Sequence, residues 1–303
     1  MPAEPITADA PGAIRRALLT QSLLDLAFLH WAADPADVAP LLPPGTVPDT
    51  LDGVTYVGLV AFRMHRVGWL HLPGVPYLGT FPETNVRLYS VDANGRRGVV
   101  FRSLDASRLI PVAVGRLGFR IPYIWARMEI ERRADADGET VTYSSFRRWP
   151  GPRGASSRIT VRVGEPIAEP TELEHFLTAR WGMHSAFFSR QMYLPNAHPR
   201  WPLHRAELLE CEEELVVAAG LPEQVGDPVS VLYSPGVPVR FGRPGRLRLV
   251  GLCASMVLIA IAGGTIVGNG GFASRLPPEI RDLAEVRPQS AQWRVTTLLL
   301  RLP

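Results

Sequence analysis

Glu83, Asn85 and Arg87 stand at alternate positions in the segment Phe81-Pro82-Glu83-Thr84-Asn85-Val86-Arg87. In an extended strand, successive side chains point to opposite faces. This acid, amide and guanidinium therefore project together, while Thr84, Val86 and Leu88 face the other way. Such a stripe suits a ligand carboxylate or carbonyl, with Arg87 as a bidentate clamp, Asn85 as a hydrogen-bonding amide and Glu83 as a general base. The same residue types also suit an internal Glu–Arg pair that closes a sheet seam, and both readings stand at this level. Tyr123, between Pro122 and Ile124, either offers its phenol to a ligand oxygen or packs as an aromatic with a satisfied hydroxyl. His184 is either a pocket group that titrates near neutrality or a satisfied core histidine.

Other chemistries find less support. The chain contains no lysine, so all 32 of its basic Lys/Arg side chains are Arg and no lysine Schiff base can form. Codon usage in a GC-rich genome accounts for that bias more simply than selection for guanidinium chemistry. His198, Trp201 and His204 share a Pro-rich stretch, but two histidines without a paired carboxylate or cysteine make a poor metal site. Ser144, Ser145 and Ser234 lack the turn context of a hydrolase nucleophile. Cys211 and Cys253 are far apart, with no CxxC and no secretory signal before them, which predicts a cytoplasmic setting and no disulfide framework. The formal charge is only +3 and the Arg pairs are scattered, so nucleic acid is not an expected partner. Gly268-Asn269-Gly270-Gly271 lacks the spacing of a dinucleotide loop, and no cofactor is expected.

The elements that must carry these residues are mostly strands. Short runs rich in Val, Leu, Tyr and Phe, separated by turn residues, predict strands at Thr55 to Met64, Asn85 to Val91, Gly98 to Leu104, Ile124 to Glu131 and Thr140 to Phe146. Asn94-Gly95 and the Asp135 to Gly138 stretch predict hairpin turns. Asp34 can cap a short helix that begins at Pro35 and is ended by the prolines that follow. Thr171-Glu172-Leu173-Glu174 is a capping-box sequence, which predicts a helix to about Arg190 with Leu177, Trp181, His184 and Phe188 on one face. Residues 1–17 are Pro/Ala-rich and are expected as a loose leader. From Leu249 to Gly268 there are 20 residues without a charge, enough at about 1.5 Å per residue to span a bilayer core. Arg240, Arg243, Arg246 and Arg248 precede this candidate transmembrane segment and would keep the main domain cytoplasmic, although its glycines also suit a segment buried against protein.

Several stretches together resemble the YqjF-like family of bacterial proteins, a domain of unknown function. They are Trp31 to Pro43, Phe81 to Arg87, Ser103 to Ala106, Thr171 to Ser185, His198 to Glu207 and Val231 to Gly242. That family is in turn similar to the acetoacetate-decarboxylase-like superfamily. The resemblance implies an α+β fold, mainly an antiparallel β-barrel with a few short helices and an enclosed small-molecule cavity. The chain is expected to divide into a leader (1–17), the barrel domain (18–245) and a C-terminal extension (246–303). Leu78 to Glu83 is similar to the decarboxylase stretch that delivers an active-site glutamate, which would place Glu83 in the cavity. Gly115 to Ala126 resembles the stretch that carries the Schiff-base lysine, yet here Tyr123 follows Pro122. The fold is thus expected without the iminium reaction. The expected function is small-molecule binding at Glu83, Asn85, Arg87, Tyr123 and His184, with an oxo acid or other carbonyl compound as ligand. Lysine-independent acid-base catalysis is one extension of that reading, and a non-catalytic sensing or membrane-associated module is the alternative.

Overall fold

Runs of β-branched and aromatic residues broken by Gly, Asp and Pro become strands in the computed structural model. It describes residues 2–69, 79–109, 111–112, 115–116, 121–136, 138–187, 190–224 and 226–244. In chain order the strands are β1 (Leu19–Ala33), β2 (Thr46–Pro48), β3 (Thr55–Trp69), β4 (Phe81–Asp92), β5 (Arg97–Ala106), β6 (Tyr123–Asp135), β7 (Gly138–Trp149), β8 (Ser156–Pro166), β9 (Gly182–Phe187), β10 (Arg190–Ala197), β11 (His204–Glu213) and β12 (Ser230–Phe241). Short helices α1 (Pro35–Val38), α2 (Glu172–Thr178) and α3 (Leu215–Ala218) punctuate them. The five expected strands all form, and four of them run past the predicted limits at both ends. The candidate transmembrane segment at 249–268 lies outside the described residues.

Nine strands close a barrel in the order β5-β6-β7-β8-β11-β12-β1-β3-β4 and back to β5. The pairings are antiparallel except at β5–β6, where Leu104–Ala106 runs parallel to Tyr123–Trp125. The β9–β10 hairpin then bridges β5, through Val99 and Met183, to β12, through Asn196 and Phe241. The wall β5-β4-β3-β1-β12 is thereby shared by two rings.

Because side chains alternate, each strand of this wall serves two apolar compartments. Leu29, Leu59, Val86 and Leu88 face a core with Val141, Ile159 and Val161 of β7 and β8 and Leu215 and Val216 of α3. Phe28, Val60, Phe62 and Phe81 face the other way, and Tyr89 packs with Phe176 and Leu177 of α2 and Met183 of β9. Each such fully buried side chain contributes about 1.5–3 kcal/mol, which is why strands with two covered faces read as near-continuous apolar runs. Asp105 and Arg147 are both inaccessible to solvent, 2.9 Å apart, with Ser145 and Ser103 adding hydrogen bonds. A buried pair of this kind is held by geometry, and loss of one partner would strand a charge.

Local sequence signals place the turns and caps as expected. Ala36 donates its amide to Asp34 Oδ1 at the start of α1, and the capping box of Thr171 and Glu174 opens α2 with both reciprocal bonds formed. Gly95 donates to the Asp92 carbonyl in the β4–β5 turn, and Asp135 pairs with Gly138 across the β6–β7 turn. The leader makes specific contacts: the Glu4 amide bonds the Gly95 carbonyl, Thr7 Oγ1 accepts from the Trp181 indole, and Asp9 pairs with Arg200.

The helix from Thr171 is much shorter than the sequence predicts. It ends at Thr178, and the chain leaves into β9 instead of continuing to Arg190. The cause is a set of partners that sequence spacing cannot show. The unpaired carbonyls of the last turn are taken by side chains: Phe176 O by Arg180 Nε, Leu177 O by Tyr89 and Arg87, and Thr178 O by the Trp201 indole. Gly182 then enters β9 against the ring of Tyr193, where a Cβ would lie 2.3 Å from Tyr193 Cζ. The expected face of Leu177, Trp181 and His184 therefore does not exist as a helical face, and Phe188 lies outside the described residues.

Candidate functional site

Glu83 and Asn85 lie on β4 opposite Phe62 and Val60 of β3, with Ala106 and Leu104 of β5 on the other side. Apolar neighbours on both flanks leave the two polar groups almost wholly buried, at 3 % and 4 % exposure. Burial pushes the Glu83 carboxyl up to about 8, since removal from water penalises the charged form; hydrogen bonds from Tyr123 and Asn85 oppose that rise, and nearby Asp105 adds to it. The carboxyl is thus neutral at pH 7 for the greater part of its population.

Tyr123 reaches Glu83 from the first residue of β6. Its hydroxyl donates to Glu83 Oε2 at 3.0 Å. The parallel pairing of Leu104 with Tyr123 sets the reach, because Leu104 also pairs with Asn85. Gly115 lies against the Tyr123 ring, where a Cβ would come within 2.3 Å of Cδ2, and Arg116 Nη1 donates to the Tyr123 carbonyl at 2.7 Å. Burial, and then the Glu83 charge, hold the phenol well above its ordinary value of 10, so it acts as a donor and not as a phenolate.

Arg87 continues the stripe but makes different bonds. Its Nε donates to the Tyr89 hydroxyl at 3.1 Å and its Nη2 to the Leu177 carbonyl at 3.0 Å, while its guanidinium carbon sits 5.5 Å from the Phe28 ring centre. Among the described residues Glu83 and Arg87 form no ion pair, so the seam-closing Glu–Arg pair does not occur there. Nη1 makes no hydrogen bond to a described residue.

His30 and Tyr89 are members of this face that the sequence did not single out. His30 Nε2 lies 2.7 Å from the Tyr89 hydroxyl, which donates its own proton to Leu177 O at 3.0 Å. With that proton committed, His30 must carry its hydrogen on Nε2, leaving Nδ1 as a bare acceptor without a partner among the described residues. Burial, then the charges of Arg87 and Arg180, hold His30 neutral. Tyr89 could have been found by extending the alternation from Arg87; His30, within the apolar run of β1, carried no such signal.

His184 is elsewhere. On β9, its Nδ1 is 2.8 Å from Ser90 Oγ and its Nε2 is 3.7 Å from Asp92, with the Tyr193 ring 5.0 Å away. Burial lowers it to about 4, against the pull of Asp92, and Ser90, Asp92 and Tyr193 all lie outside the Glu83 stripe. His198 makes tilted ring contacts with Trp181 and Trp201, at 4.5 and 4.7 Å between centroids, and His204 meets the Gly164 carbonyl. Among the described residues no group of three His, Cys, Asp or Glu is arranged to hold a metal. A cavity of about 360 Å³ beside Trp31, Asp34, Asp37, Leu221 and Asp227 touches none of the stripe residues.

Comparison with known proteins agrees with this architecture. The model of the DUF2071 family, described as an uncharacterized conserved protein, matches residues 20–238. The protein YqjF of Bacillus subtilis (strain 168) is 28% identical over 214 residues, covering 70% of this chain and 86% of its own length. An acetoacetate decarboxylase-like enzyme from Sphingomonas wittichii RW1 superposes with a TM-score of 0.51 at 13% identity, covering 79% of this chain and 96% of that one. Acetoacetate decarboxylase from Legionella pneumophila gives the same TM-score at 14% identity, over 82% and 94% of the two chains. At such identities the likeness is one of fold.

Proposed function

Because the chain belongs to the DUF2071 family and has the acetoacetate-decarboxylase-like barrel, we propose that it binds a small carbonyl compound, such as an oxo acid, and moves a proton on it without an amine nucleophile. The observation that carries this reading is Glu83: a buried carboxyl in contact with a phenol that stays protonated. Such a carboxylate, once ionised, is a stronger base than an ordinary glutamate.

With a 2-oxo acid bound, Glu83 removes a proton from the carbon next to the carbonyl. The electrons of that C–H bond form the enolate double bond, and the carbonyl oxygen takes the negative charge. As the proton reaches Glu83, the Tyr123 hydroxyl turns its hydrogen bond from Glu83 Oε2 to that oxygen, while Arg87, about 14 Å further along β4, adds only distant fixed positive charge. The proton on Glu83 exchanges with water, and its return to carbon completes the cycle. No lysine is required.

Loss of the methyl proton signal of pyruvate in D2O, followed by NMR with the full chain, tests this. Exchange should exceed that in buffer, rise about tenfold per pH unit below about 8 and level off above it. Glu83→Gln should lower the rate about 100-fold or more while pyruvate binding changes less than about threefold. Binding of pyruvate or other 2-oxo acids with no exchange above buffer would favour a ligand-sensing module instead.

A further inference from the structure

Asn85 is only 4 % exposed, yet its Oδ1 meets no hydrogen-bond donor of a described residue. With Glu83 ionised, the form in which it takes a proton, the Asn85 amide donates to it and Oδ1 is turned away, since turning the amide over would set Oδ1 against that carboxylate. Across the sheet its neighbours are Val60 and Leu104, neither of which has a side-chain donor. The bare carbonyl oxygen stands on the same face as Glu83, two residues along the strand, about 7 Å further. A buried acceptor of this kind is costly unless something brings it a donor.

The carbonyl and ionised carboxylate of a simple oxo acid contain acceptors only. Neither can satisfy Asn85 Oδ1. We infer that the compound held at Glu83 and Tyr123 carries a hydroxyl group beside its carbonyl, and that Asn85 is the residue that reads this hydroxyl. The inference rests on the carbonyl-binding reading above and narrows it to hydroxy-oxo compounds. A site built to bond a hydroxyl rejects the analogue lacking it far more strongly than an apolar pocket rejects a change of size.

The test compares 3-hydroxypyruvate with pyruvate by titration calorimetry on the full chain. The unaltered protein should bind 3-hydroxypyruvate at least about tenfold more tightly. In Asn85→Leu, which keeps the volume and removes the acceptor, the ratio of the two affinities should fall to about one, whatever the change in their absolute values. Equal affinities in the unaltered protein, or a preference that survives in Asn85→Leu, would overturn the assignment and leave the carbonyl reading standing. Binding of neither compound would overturn both. Should Asn85→Leu fail to fold by circular dichroism, the ratio in the unaltered protein still decides the hydroxyl preference, and Asn85→Ser tests its dependence on residue 85.

Discussion

A carboxyl that holds its proton to about pH 8 in the folded chain works against stability wherever the unfolded chain has already released it. Glu83 has an ordinary value near 4.5 when unfolded, so between about 4.5 and 8 the folded state binds the extra proton. Stability should therefore decline as pH rises through that window, by up to about 1.4 kcal/mol per unit from this residue alone, and flatten above 8. Glu83→Gln carries no proton to lose. Chemical denaturation from pH 5 to 9 should show a shallower decline for this variant, with its largest gain over the unaltered chain at the alkaline end. Parallel curves would mean that the carboxyl is not held neutral. The stripe itself was legible in the sequence, since alternation needs nothing beyond a strand. The paired state of Arg87 and the tautomer of His30 were not, because Leu177 and Tyr89, which decide them, are 90 and 59 positions away.

At the level of elements, α2 depends on what receives its last turn. Tyr89 joins three groups there: it accepts from His30 and Arg87 and donates to Leu177 O. Tyr89→Phe keeps the ring against Phe176 but deprives His30 Nε2 and Arg87 Nε of their acceptor. A loss of about 2–3 kcal/mol in urea unfolding is expected, and a loss below about 0.5 would show that the network does not hold the helix end. This explains why the start of α2 could be read from Thr171 and Glu174 whereas its end could not. An N-terminal capping box lies within four residues; the C-terminal partners Arg87, Tyr89 and Trp201 come from other strands and loops. The same limit applies to His184, whose spacings of three from Trp181 and four from Phe188 suggested a helix but whose neighbours Ser90 and Asp92 belong to β4.

For the whole molecule, the order of motifs along the chain made the family and barrel class recognisable, but closure rests on contacts without a local signature. Three residue pairs join β5 to β6, and one described pair joins β5 to β9. The wall they complete gives β4 two interiors: Val86 and Leu88 enter one, while Glu83, Asn85 and Tyr89 enter the other. Substitution in such a strand perturbs one compartment. Displacement by a single position exchanges the two, forcing a carboxyl, an amide and a guanidinium into an aliphatic interior and Val86 and Leu88 into the polar one. A scan of one-residue insertions, scored by soluble expression and proteolytic resistance, should find no tolerated site between Thr84 and Leu88, whereas the Asp135–Gly138 turn should accept them. The reading frame of side chains along β4 is thus a heritable constraint in its own right: changes of identity remain open at these positions, and changes of length do not.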